Sequence, residues 1–405
     1  MSTAPAKKPI VDEPPPTRQR WGEAELSRLT QMVRQPSLFY WKGPQTEALV
    51  EEFRRHYPFR YVFPCSSGTA AIHVAVSALR LRPGDEVIVP PITDMGTVIG
   101  VLFQQGVPVF ADLDPHTYNL DPAAVRRAVT AKTRAIIAVH LAGNPCDVEA
   151  LLAIARPRGI AVIEDCAQSW GARHHDKPVG LTGDFGCYSL NDFKHIACGD
   201  GGLVGTNQAP YGEGLSKWGD KSYDRLASGR DAEDLAPNYR ISEPQAAVGA
   251  AQMTKLSAIV QHRHRAGEFL SEALQQAPGL HLPKVIPGGY HSYWFYLIRL
   301  DLDRLACTRK EFASACSAEG AVCGEGYIPS PVYKYKVFQN HNFFGGAWPV
   351  RDAGLTQMDY RAVSCPTAEK ILQDCILISI NEAMTDSYLG KLAKAIVSVA
   401  GHFAT

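Results

Sequence analysis

The chain has 405 residues, 45% of them hydrophobic, which is enough for a large core and more than one compact domain usually holds. Lys+Arg and Asp+Glu both number 41, a formal net charge of +0, which argues against a nucleic-acid or polyanion binder and leaves little repulsion to oppose self-association. The N-terminal stretch lacks the apolar segment of a signal peptide, and no run approaches the ~18 apolar residues of a membrane span. A cytoplasmic protein without membrane or nucleic-acid partners is therefore expected.

Residues 1–20, rich in Pro, Lys and Arg, read as a flexible arm. Helical patterning begins at WGEAELSRLTQMV and resumes in PQTEALVEEFRRHY. Short β-rich runs then alternate with helical ones: YVFPCS with GTAAIHVAVSALRL, EVIVPP with TVIGVLFQQG, VPVFADLD with DPAAVRRAVT, and RAIIAVHL with DVEALLAIARPRG. AVIEDCA, FGCYSLN and GGLVGTN follow. Runs such as EVIVPP are continuously apolar, as strands covered on both faces of a mostly parallel sheet must be. Ligands of such sheets sit beyond the C-terminal strand ends.

After about residue 240, SEPQAAVGAAQMTKLSAIVQHRHRAGEFLSEALQQA predicts one long helical stretch that bridges to a second domain. YHSYWFYLIRL predicts a strand and TRKEFASACSAEG a helix. LISINEAMTDSYLGKLAKAIVSVAG predicts a strand, a loop and a helix with Thr385 at its N-cap. The ten cysteines form no C-x-x-C pair and no zinc-like spacing with histidine, so reduced buried thiols and no metal site are expected.

Three segments carry chemistry. Cys65-Ser66-Ser67-Gly68-Thr69-Ala70 follows a strand and opens a helix, where free N–H groups make an anion site. By itself it reads better as a plain serine N-cap, since S-G-T segments are common. Asp165, in IEDCAQ, ends an apolar strand, where a carboxylate holds a proton on a heterocyclic nitrogen or simply caps a turn. Lys194 lies between an apolar strand and a Gly-rich turn. A semi-enclosed lysine there becomes a nucleophile, whereas taken alone it reads as an exposed loop residue. No G-x-G-x-x-G follows the first strand, which argues against a nicotinamide-dependent dehydrogenase.

Together the segments SSGTAAIHVAV, LRPGDEVIVPP, PVFADLDPHTYNLDP, VIEDCAQSWGA, GDFGCYSLNDFKHIACGDGG and NYRISEPQAAVG, in this order, resemble the DegT/StrS sugar aminotransferases from about residue 22 to the C-terminus. The resemblance implies an α/β fold type I pyridoxal-phosphate (PLP) enzyme. A large domain (21–250) would carry a mostly parallel seven-stranded sheet between helices, with a smaller C-terminal α/β domain (251–405). It also implies that Lys194 forms the internal aldimine with PLP, that Asp165 pairs with the pyridine nitrogen and that Gln168 lies against the phenolic oxygen. Ser189 and the backbone at Gly68, Thr69 and Ala70 would bind the phosphate. Asn238 would reach the phosphate of a neighbouring subunit, so that a homodimer shares its sites.

Asp94 occupies the position where the family stacks an aromatic on the ring, and either another side chain covers that face or Asp94 serves the substrate. His291, Tyr40 and Lys42, the last two beside Phe39 and Trp41, are candidate substrate residues, with plain packing as the competing reading. The implied reaction is a ping-pong transfer of an amino group from glutamate or glutamine to a keto-sugar or keto-cyclitol. A sugar dehydratase or epimerase of the same family and a non-catalytic regulatory homologue are the alternatives. In the dehydratase branch a histidine replaces the lysine, whereas here His195 follows a retained Lys194.

Overall fold

A computed structural model describes residues 8–225 and 231–405. Its central sheet contains β1 (Tyr61–Cys65), β2 (Glu86–Val89), β3 (Val107–Phe110), β4 (Thr133–Val139), β5 (Ala161–Asp165), β8 (Phe185–Ser189) and β9 (Gly202–Thr206). Beside it, β6 (Arg173–His174), β7 (Lys177–Pro178) and β11 (Gly289–Tyr290) form a small ribbon, and β10 (Leu280–His281), β12 (Phe295–Leu300) and β13 (Cys375–Ser379) a second three-stranded sheet.

The central order is β1-β9-β8-β5-β4-β2-β3. Pairings β3–β2, β2–β4, β4–β5 and β5–β8 are parallel, and only β9 runs against its two neighbours. The continuous apolar runs behave as a doubly covered sheet requires. Val87, Ile88 and Val89 of β2 and Ile136 and Ile137 of β4 are fully buried, each such side chain contributing about 1.5–3 kcal/mol of hydrophobic stabilisation.

The expected alternation is present, with helices Gly68–Ala78, Gly96–Phe103, Pro122–Ala128 and Val148–Ala155 between the strands. The helices Glu23–Val33 and Pro44–His56 precede them. In the second sheet's layer, helix Arg309–Ala318 begins with a Thr308/Glu311 capping box, and Thr385 caps helix Asp386–Phe403 by accepting from Tyr388 N–H.

Three expectations need revision. The long helix after residue 242 is two helices, Glu243–Met253 and Leu256–Leu274. At the break, Thr254 Oγ1 donates back to the Ala251 carbonyl and Lys255 Nζ reaches the Arg20 carbonyl and Glu25. Residues 332–372, counted with the C-terminal domain, pack instead on the central sheet. There Phe110 meets Tyr333, Phe338 and Tyr360, and the Tyr360 hydroxyl donates to the Pro108 carbonyl.

Residues 8–20 are docked rather than loose. Val11 is 3% exposed within the core of the second sheet, its N–H bonds the Glu319 carbonyl, and Asn381 Nδ2 donates to the Pro16 carbonyl.

All ten cysteines are free thiols, with only Cys307 not fully buried. No described helix is long and apolar enough to cross a membrane.

Candidate active site

The strand ends of β5 and β8 and the start of helix Gly68–Ala78 enclose a cavity of about 230 Å³. Its walls include Gly68, Thr69, Asp94, Asp165, Gln168, Ser189 and Lys194. Seven of the sequence-derived candidates thus meet in one place, drawn from segments over 120 residues apart, because parallel strands deliver their C-terminal ends to one edge.

Asp165 closes β5 and is 4% exposed. Its Oδ2 accepts from Thr97 Oγ1 at 2.7 Å and its Oδ1 from Ala167 N–H at 3.0 Å. Thr97 is itself bonded to Thr93 Oγ1 at 2.6 Å. Burial pushes the Asp165 carboxyl above its usual range, against the hydrogen bonds from Thr97 and Ala167 and the nearby Lys194 charge. Among the described residues no arginine or lysine forms an ion pair with it, so its charge faces the cavity.

Lys194 leaves the loop between β8 and β9. Burial lowers its ammonium to about 8, with Asp165 and Asp94 pulling the other way. Its Nζ stands 3.8 Å from the centroid of the Trp294 ring. A lysine poised near neutrality is what nucleophilic capture of a carbonyl needs.

Ser67 is the N-cap of helix Gly68–Ala78, its Oγ accepting from Ala70 N–H at 3.0 Å. Ala70 is therefore already partnered and does not line the cavity, which leaves Gly68 and Thr69 for an anion. A Cβ on Gly68 would lie 2.7 Å from the Ser189 Cβ, and one on Gly202 2.3 Å from the Ser67 carbonyl oxygen. The two glycines let the β8–β9 hairpin press Ser189 against the helix start.

Gln168 is 3% exposed. Its Oε1 accepts from Ala142 N–H at 2.9 Å and its Nε2 donates to the Tyr327 hydroxyl at 3.0 Å. Tyr327 was not visible as a site residue in GEGYIPS, which has no periodicity. It packs between Phe295 and Trp294, at 5.1 and 5.8 Å between centroids. Burial, then the charges of Asp94 and Asp165, push its hydroxyl well above the usual tyrosine range, so it stays protonated. Asp94 is exposed at the rim, where its Oδ1 accepts from Gly96 N–H at 2.8 Å.

Besides Ala70, four candidates do not line this cavity. His291 is 2% exposed, stacked on Tyr293 at 3.7 Å, with Nδ1 accepting from Tyr293 N–H. Packing explains it. The Tyr40 hydroxyl donates to the buried Asp220 carboxylate, which also pairs with Arg225 and Arg240. Lys42 borders a different cavity with Tyr40 and Trp41. Asn238 is exposed and bridges to Asp220.

Among the described residues, two metal-capable clusters that spacing did not reveal are brought together by the fold. In the buried one, His140 Nε2 bonds Glu164, His140 Nδ1 accepts from Cys146 N–H, and Glu164 also receives the N–H groups of Gly180, Thr182 and Gly183. The other gathers Glu149, His174 and His175 near the surface.

The α/β topology and its strand-end cavity define a fold type I PLP-dependent aminotransferase. Residues 20–397 match the DegT/DnrJ/EryC1/StrS aminotransferase family, and the chain belongs to it. A relative from Acidithiobacillus ferrooxidans, named as a UDP-N-acetyl-3-dehydro-alpha-D-glucosamine 3-aminotransferase, is 32% identical over 339 residues, covering 82% of each chain. The solved aminotransferase from Psychrobacter cryohalolentis has a TM-score of 0.85 at 25% identity, over 96% of this chain and 100% of its own. NtdA from Bacillus subtilis, solved with bound cofactor PMP, shares the fold with a TM-score of 0.80 at 23% identity, over 93% of this chain and 81% of its own.

Proposed function

We propose that this chain moves an amino group from glutamate or glutamine to a keto-sugar or keto-cyclitol. It would use PLP held on Lys194, in a cytoplasmic homodimer with shared sites. The observation that carries this reading is the pairing of Lys194 and Asp165 across one cavity, each shifted by burial toward its neutral form.

The donor set fits the cofactor. The cradle at Gly68, Thr69 and Ser189 suits a phosphate, the carboxylate of Asp165 suits a protonated ring nitrogen, and the amide of Gln168 suits a ring oxygen. When bound, the cofactor supplies an electron sink for loss of the donor's α-proton. Asp165 would keep the ring nitrogen protonated. Lys194 Nζ would take that α-proton and later return one to the acceptor carbon.

The rim suits a polyhydroxylated acceptor. Asp94, Asn191 and Asp200 offer hydrogen-bonding groups there, with Asn191 Nδ2 already donating to Asp200 at 3.0 Å. Asn238, exposed and outside its own cavity, is available to a second subunit.

The test is incubation of holoenzyme with glutamate or glutamine and no acceptor. One equivalent of 2-oxo acid per site, with loss of the visible cofactor band, is expected. In Lys194→Ala that band should be absent and turnover negligible. A variant that keeps both sinks the assignment.

A further inference from the structure

Lys194 lies in the irregular segment between β8 and β9, so its neighbours' carbonyls have no strand or helix partners. Three consecutive carbonyls are nevertheless bound by side chains distant in sequence. The Arg20 guanidinium donates from Nη1 to the Asp192 carbonyl and from Nη2 to the Lys194 carbonyl, the latter at 2.6 Å. Between them, Trp294 Nε1 donates to the Phe193 carbonyl at 2.7 Å. The Trp294 ring is the same one that faces Lys194 Nζ.

Arg20 is built in rather than draped over the surface. It is 7% exposed, and burial lowers its guanidinium only to about 10, which leaves it charged near neutrality. Its own carbonyl accepts from Gln252 Nε2 and Lys255 Nζ, both at 2.9 Å. Upstream, the chain is fixed at Pro16 by Asn381, at Asp12 and Glu13 by Lys391, and at Val11 by Glu319. A rigid planar fork with several donors suits two carbonyls two residues apart, and an ammonium does not reproduce that geometry.

We infer that Arg20 is a positioning residue for Lys194, and that the N-terminal segment 8–20 holds the lysine-bearing loop in place as a strap anchored on the second sheet's core. The inference rests on the reading of Lys194 as the cofactor-bearing lysine. Without the fork, the loop keeps the Trp294–Phe193 bond and the contact of His195 Nε2 with the Ser292 carbonyl at its middle, and at its ends Leu190 N–H bonds the Gly201 carbonyl and Cys198 N–H the Leu190 carbonyl.

The experiment compares Arg20→Met, which keeps the apolar stem, with Arg20→Lys and Lys194→Ala. Backbone hydrogen exchange over residues 190–200 is measured in the cofactor-free protein. Exchange should accelerate about ten-fold or more in Arg20→Met, the equivalent of one lost charge-assisted hydrogen bond, and less in Arg20→Lys. In the holoenzymes, the pH midpoint of the visible cofactor absorbance should move in Arg20→Met and be partly restored in Arg20→Lys. The kcat should fall with little change in KM for the amino donor.

Unchanged exchange and an unchanged midpoint in Arg20→Met, with Lys194→Ala colourless, would overturn the inference and leave the Lys194 assignment standing. A coloured Lys194→Ala overturns the assignment, while the exchange measurement still tests the strap. If Arg20→Met does not fold, the same two readouts in Arg20→Lys decide, and wild-type values there overturn the inference.

Discussion

Gln168 and Tyr327 are locked together: the Gln168 amide donates to the Tyr327 hydroxyl at 3.0 Å while its oxygen is held by Ala142 N–H. Both ends of the amide are thereby assigned, and its second N–H is directed by the other two bonds. Tyr327→Phe leaves the aromatic packing on Phe295 and Trp294 but frees the amide. A neutral hydrogen bond contributes about 1 kcal/mol, so cofactor affinity should fall about five-fold with little change in thermal midpoint. Absorbance titration of the apoenzyme with cofactor, beside a melting curve, checks this.

The titration of Lys194 has a defined sign. Burial favours its neutral form and lowers it to about 8, while the Asp165 and Asp94 charges favour the ammonium. Reactivity of Lys194 in the cofactor-free protein should therefore rise with pH around a midpoint near 8. Asp165→Asn removes a raising charge, so the midpoint should move to lower pH, and Asp94→Asn should move it the same way. Competitive labelling with an amine reagent, read by mass spectrometry, gives the midpoints. A shift to higher pH in Asp165→Asn would contradict the arrangement.

Gly68→Ala and Gly202→Ala test the cradle. Each Cβ meets atoms at under 3 Å, Ser189 Cβ in the first case and the Ser67 backbone in the second. Overpacking of this kind costs about 1–3 kcal/mol. The second substitution should be the worse, because backbone cannot swing aside. Both should lower the thermal midpoint and weaken binding of phosphate-bearing cofactor relative to dephosphorylated pyridoxal, which calorimetry resolves.

Glu164 supports β5 from its other face. Burial works to raise its carboxyl, but His140 and the N–H groups of Gly183 and Gly180 outweigh it and leave the group below its usual range. A lowered native value means that its stabilisation is complete above the ordinary glutamate value of about 4.3 and is lost as pH falls through the native one. Glu164→Ala should cost about 3–5 kcal/mol at neutral pH, as removal of one buried partner does. The difference from wild type should shrink in strong acid, and denaturation measured from pH 7 down to pH 2 follows it.

The parts of the site legible in the sequence are those that local patterning delivers. Gly68, Asp165, Ser189 and Lys194 each adjoin an apolar strand, and a parallel sheet brings such ends together without further information. Tyr327 and Arg20 arrive by tertiary contact from segments without periodicity. Pro and charge in residues 8–20 signalled disorder by composition, yet one buried valine, Val11, and a few carbonyl contacts fix the segment. His291 erred in the opposite direction, since an aromatic-rich strand entry looks the same whether its histidine faces a ligand or stacks on Tyr293. The helix break at Thr254–Lys255 is invisible to propensity, because both residues keep helical backbone angles and the interruption comes from side-chain bonds.

The docking of Val11, Asp12 and Glu13 on Glu319 and Lys391 also dictates an order of events at the ribosome. The strap precedes every one of its anchors in the chain, with Lys391 the most distant of them. Arg20 finds the carbonyls of Asp192 and Lys194 and its own anchors Gln252 and Lys255 earlier in the chain, whereas Asp12 and Glu13 must wait for Lys391 on the closing helix. A nascent chain stalled before residue 386 would carry the Arg20 fork without its Lys391 anchor, and the strap would tighten on the lysine loop only as the closing helix docks.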